Sequence, residues 1–104
     1  MAHHGTILFG HGSRDPLWRL PIEAVARRMQ ELQPDTRVQC AYLELSTPDL
    51  ATAADTLVAQ GCRSITVLPM FLGTGRHARE DLPVLLAELR EHYPRVHFVQ
   101  KPAI

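Results

Sequence analysis

Thr6-Ile7-Leu8-Phe9-Gly10-His11-Gly12-Ser13-Arg14 runs from four β-branched or apolar residues straight into a glycine-rich turn that carries a histidine. A second stretch repeats the arrangement: Ser64-Ile65-Thr66-Val67-Leu68 leads on to Gly73-Thr74-Gly75-Arg76-His77. A short apolar run ended by glycine suits a central buried strand. An imidazole in such a turn is a poor core filler but a good ligand or proton carrier, because glycine admits φ > 0 and lets partners come close.

What lies between these runs decides the fold. Ile22, Val25, Ala26, Met29 and Leu32 recur at helical spacing until Pro34, with Asp15-Pro16 and Pro21 as two candidate starts. Residues 37–45 read as a second strand. Ser46-Thr47-Pro48-Asp49 then offers a hydroxyl N-cap, Pro at the first helical position and an acid in the first turn. The second helix has the stripe Leu50, Ala51, Ala54, Leu57 and Val58, and Gly61 stands where a C′ residue belongs. Residues 64–72 form a third strand whose near-continuous apolar character implies burial on both faces. A third helix is expected to begin between Arg79 and Pro83 and to bury Leu82, Leu85, Leu86 and Leu89, before a fourth strand over 96–99.

The order βαβαβαβ implies one α/β domain over 1–104, with a parallel sheet and right-handed crossovers. The most economical strand order is 2-1-3-4, that of a flavodoxin-like three-layer sandwich. It makes strands one and three neighbours at the topological switch point, where such sheets bind ligands. Neighbouring strands lie about 4.8 Å apart, so His11 and His77 could both reach one ion through bonds of about 2.1 Å. Glu44, near the end of strand two, could approach the same crevice. The topology also leaves a deficit. The first helix covers one face of the sheet alone, so that face is expected to need a partner, or the chain to lack a C-terminal helix.

Composition excludes some classes. Lys+Arg and Asp+Glu are 11 each in 104 residues, with no basic run to favour nucleic acid. No apolar run approaches the roughly 20 residues of a membrane helix, and the start of the chain has no signal-peptide pattern, so a cytoplasmic protein is expected. Cys40 and Cys62 match neither a redox pair nor a zinc spacing and read as free, small, buried residues. His3 and His4 receive no role.

Plainer readings stand beside the functional ones. Gly10-His11-Gly12-Ser13 also reads as simple strand-to-helix punctuation. Gly73-Thr74-Gly75-Arg76-His77-Ala78 formally fits G-x-G-x-x-A, but it follows the third strand and no ribose-binding acid stands about 20 residues on. Ser13 as a nucleophile with His77 and Asp81 lacks the G-x-S-x-G elbow. His92 and His97 read as surface or structural residues, and Trp18 as a packing residue. Arg14, Arg76 and Arg79 beside one cleft would suit a polycarboxylate, since arginine grips carboxylates with two parallel hydrogen bonds.

Three segments in this order and spacing are similar to one family: Gly10-His11-Gly12-Ser13-Arg14-Asp15-Pro16, Tyr42-Leu43-Glu44-Leu45-Ser46-Thr47-Pro48, and the run from Leu68-Pro69-Met70-Phe71 through Gly75-Arg76-His77-Ala78-Arg79 to Pro83. Together they resemble the sirohydrochlorin chelatases of the small CbiX/SirB type. The resemblance implies a chelatase-like fold and a lyase that inserts cobalt or ferrous iron into sirohydrochlorin, for cobalamin or siroheme, without ATP or an organic cofactor. It implies His11 and His77 as metal ligands, Glu44 as an associated carboxylate, and Ser13, Arg14, Arg76 and Arg79 as substrate contacts. Imidazole suits iron, cobalt and nickel alike, so Ni2+ joins Co2+ and Fe2+ as a metal to expect. The resemblance further implies a homodimer, and a helix beyond the point where this chain stops. A metal-binding or carrier module without catalysis is the alternative.

Overall fold

The computed structural model describes residues 4–12, 15–43, 46–70 and 76–101, with the backbone alone at 16, 18 and 76–80. Strands β1 (His4–Gly10), β2 (Thr36–Tyr42), β3 (Ser64–Pro69) and β4 (His97–Gln100) form one sheet in the order β2-β1-β3-β4, every pair parallel. Helices α1 (Leu20–Leu32), α2 (Leu50–Ala59) and α3 (Arg76–His92) make the crossovers. Both the order and the direction are those the residue pattern implies.

Alternation along each strand divides the apolar residues between two layers. Ile7, Phe9, Ala41, Ile65, Val67 and Phe98 pack beneath α2 and α3, whose Leu50, Ala54, Leu57, Leu82, Leu86 and Leu89 complete the larger core. On the opposite face Leu8 and Tyr42 meet Ile22 of α1, with Ala26 and Met29 packed against them. At full burial each large side chain is worth about 1.5–3 kcal/mol.

Several expectations are corrected. β3 is not buried on both faces: Ile65, Val67 and Pro69 are buried, but Ser64, Thr66 and Leu68 are only half-buried. The cause is that α1 packs mainly over β2 and β1. For the same reason Val25 and Leu32, placed in the α1 stripe by their spacing, are 40% and 65% exposed. Both candidate starts of the first helix are used. Asp15 Oδ1 accepts the Leu17 N–H at 2.9 Å and caps a 3-10 turn over Pro16–Arg19, and α1 follows with Pro21 in its first turn. Trp18 lies in that turn, but its side chain is outside what is described.

The second helix is capped by Asp49 rather than by a hydroxyl, its Oδ1 accepting the Thr52 N–H at 2.8 Å. β2 stops at Tyr42, where the chain folds back and the Pro48 carbonyl accepts the Tyr42 N–H at 2.9 Å. Gly61, with φ of 92°, takes the left-handed conformation expected of a C′ residue. α3 begins at Arg76 and carries Pro83 inside it. An interior proline costs about 3 kcal/mol, and burial of Leu82, Leu86 and Leu89 on this helix outweighs that. Cys62 is buried and Cys40 half-buried, both as free thiols. Among the described residues no helix is long and apolar enough to cross a membrane.

Candidate functional site

Parallel strands send their outgoing loops to one edge of the sheet. β1 is held there from both sides: the Leu43 N–H donates to the Gly10 carbonyl at 3.0 Å, and the Met70 N–H donates to the Phe9 carbonyl at 2.8 Å. The strand exit is therefore fixed by backbone bonds to the residues leaving β2 and β3. The next residue, His11, is half-buried, and Gly12 behind it is buried with φ of 104°. That conformation disfavours any side chain at Gly12.

His77 is the second residue of α3, so it stands in a helical turn rather than in the loop its glycine neighbours imply. Arg76 and Arg79 share that first turn. His11 thus follows β1, and β3, the strand that precedes α3 in the chain, is the paired neighbour of β1. Ser13, Arg14 and Glu44 lie outside the described residues, as do Gly73 and Gly75 of the dinucleotide-like motif. Glu44 directly follows Leu43, the residue bonded to Gly10. Among the described residues no three His, Cys, Asp or Glu side chains gather to hold a metal.

Tyr42, which no sequence motif singles out as a site residue, stands in register with Gly10 one strand away and is 2% exposed. Burial, then the neighbouring Cys40 and Glu23, pushes its phenol up to about 12, with Arg19 pulling the other way. Burial and Glu23 likewise raise the Cys40 thiol. Tyr42 and Cys40 are therefore both protonated near neutrality. Tyr42 also helps line a cavity of about 480 Å³ with Leu43, Ser46, Thr47, Pro48, Asp49 and Thr52, at the exit of β2. Hydrogen bonds from the Thr52 hydroxyl and N–H lower the Asp49 carboxyl, so it stays ionised.

A second cavity of about 380 Å³, in the groove between α2 and α3, includes Leu50, Asp55, Leu85, Leu89 and Tyr93. None of the expected site residues lines it. His92 closes α3 and meets the Tyr93 ring edge-on at 4.5 Å, while His97 is exposed at the start of β4.

The chain is similar to known proteins along nearly its whole length. The sequence model of the CbiX family matches residues 5–104. A sirohydrochlorin cobaltochelatase of Priestia megaterium is 33% identical over 90% of this chain and 31% of its own. The chloroplastic sirohydrochlorin ferrochelatase of Arabidopsis thaliana is 30% identical over 91% and 42%. The chain thus spans from under a third to under a half of these curated relatives. Among solved structures, a CbiX protein of Marinobacter aquaeolei VT8 superposes with a TM-score of 0.81 at 34% identity, over 97% of this chain and 82% of that one. The sirohydrochlorin chelatase SirB of Bacillus subtilis subspecies spizizenii, in complex with cobalt, gives 0.82 at 28% identity over 95% and 43%. On this family match and the shared sheet, the chain belongs to the CbiX family.

Proposed function

We propose that this chain is a chelatase lobe that inserts a divalent metal, cobalt or ferrous iron, into sirohydrochlorin on the route to cobalamin or siroheme. The observation that carries the reading is the pairing of β1 with β3, whose outgoing segments hold His11 and His77. In this reading the two imidazoles bind the incoming ion, which is a substrate of the reaction. As the macrocycle nitrogens replace the protein ligands, two pyrrole N–H protons leave, and Glu44 or a histidine accepts them. Ser13, Arg14, Arg76 and Arg79 hold the peripheral carboxylates, since bidentate arginine contacts orient such groups.

Neither ATP nor an organic cofactor has a part in this scheme, and Ni2+ is a third metal the imidazoles would accept. A second copy would supply the other wall of the cleft. The half-covered face of β3 at Thr66 and Leu68 supports a covering element there. We place the reaction in the cytoplasm.

The test is to incubate the protein with sirohydrochlorin and Co2+, Fe2+ or Ni2+ and follow the macrocycle absorption against the uncatalysed rate. Multiple turnovers are expected. Metal uptake without acceleration would replace this reading by that of a carrier module.

A further inference from the structure

An open sheet exposes backbone donors and acceptors along its two outer strands, and those groups can template pairing with another chain. The outer strands here are β2 and β4. Side chains from two different helices reach back to both of them.

On β2, the Leu43 N–H points inward to β1, as shown by its bond to the Gly10 carbonyl. Backbone groups alternate in direction along a strand, so those of Thr36, Val38, Cys40 and Tyr42 point outward. Gln30 of α1 donates from Nε2 to the Thr36 carbonyl and accepts the Val38 N–H on Oε1 at 3.1 Å. These are the carbonyl and N–H, flanking Arg37, that one residue of an added parallel strand would use. The side-chain amide therefore imitates a neighbouring strand for one residue. At the other end of the same edge, the Pro48 carbonyl takes the Tyr42 N–H. One repeat around Cys40 lies between the two.

On β4, the N–H groups of His97 and Lys101 donate inward, to Arg63 and Val67 of the β3 segment. The groups of Phe98 and Gln100 then point outward. Arg90 of α3 donates from Nη2 to the Phe98 carbonyl at 3.0 Å. The strand has only four residues, and both a parallel and an antiparallel newcomer would need that carbonyl.

We propose that Gln30 and Arg90 are edge guards, which occupy the backbone groups through which a second copy of this chain would add as a β-strand. The inference rests on these hydrogen bonds and is independent of the metal chemistry. It confines any native pairing of copies to faces of the molecule rather than sheet edges.

The test compares the full chain with Gln30→Met, Arg90→Met and the double variant, in which the unbranched apolar stems are kept and the polar tips removed. The parent's oligomeric state is measured first by light scattering across a concentration series. The double variant is expected to shift to larger species as concentration rises, with newly slowed hydrogen exchange at the Cys40 and Gln100 amides and retained protection in β1. Arg90→Lys, which keeps a donor, is expected to restore the parent's behaviour at the β4 edge. A double variant that keeps β1 protection and the parent's oligomeric state at every concentration would overturn the proposal. Association without new protection at Cys40 and Gln100, or with β1 protection lost, would also overturn it, because misfolding and not edge pairing would then be the cause.

Discussion

Met70 and Phe9 are joined by a backbone hydrogen bond of 2.8 Å from the Met70 N–H to the Phe9 carbonyl. That bond ties the chain leaving β3 to the last turn of strand before His11, so the two histidine-bearing segments start from one rigid point. Sites built on strand ends hold their groups more precisely than sites carried by loops alone.

At the opposite end of β1, close packing leaves no room at Gly5. A Cβ there would stand 2.9 Å from Leu57 Cδ1 and 3.2 Å from Cys62 Sγ, and both residues are buried. Overpacking of a filled core costs about 1–3 kcal/mol. Gly5→Ala should lower the unfolding free energy by that amount, read as a lower urea midpoint at an unchanged slope, and an unchanged midpoint would show that Leu57 yields freely.

Removing the Asp49 cap should destabilise α2 by about 1 kcal/mol, the usual cost of losing such a side chain. Its carboxyl is held below its ordinary value by the Thr52 hydroxyl and N–H. The sign follows: the contribution is present above the unfolded value of about 3.9 and is lost as pH falls through the folded one. Denaturation of the parent and Asp49→Ala at neutral and acid pH should show a gap that closes on acidification. A gap independent of pH would contradict it.

Tyr42 should titrate late for a tyrosine. Its phenol is pushed up to about 12, first by burial, against about 10 in an unfolded chain. A raised value means that its stabilising contribution is complete below about pH 10 and falls away toward 12. The phenolate absorbance of the parent should show a late component that Tyr42→Phe removes. A component lost near pH 10 instead would count against the buried setting.

Strand order was legible in the sequence because each helix is bounded by local signals and right-handed crossovers leave few ways to join four parallel strands. Gly61 was legible for a similar reason, since a left-handed terminus announces itself by residue type. The start of α3 was not. Pro83 looks like a first-turn residue by every local rule, and only the burial of Leu82, Leu86 and Leu89 carries the helix through it. Thr47 lost the α2 cap to Asp49 through the path of the loop. The candidate site is legible in the sequence only as an expectation. His11 follows from its glycine turn, but the setting of Tyr42 and the reach of Gln30 and Arg90 depend on elements distant in the chain, which no spacing rule records.

The most direct measurement is the rate of cobalt insertion into sirohydrochlorin by the parent, His11→Ala, His77→Ala and the double variant. If both imidazoles hold one ion, each single change should slow insertion by at least the roughly 10–100-fold that losing even an outer-shell partner costs a metal site, and the double variant should be little worse than either, since groups acting as a unit are not additive. Unchanged rates in the single variants, or losses that multiply in the double variant, would contradict a shared metal at the ends of β1 and β3.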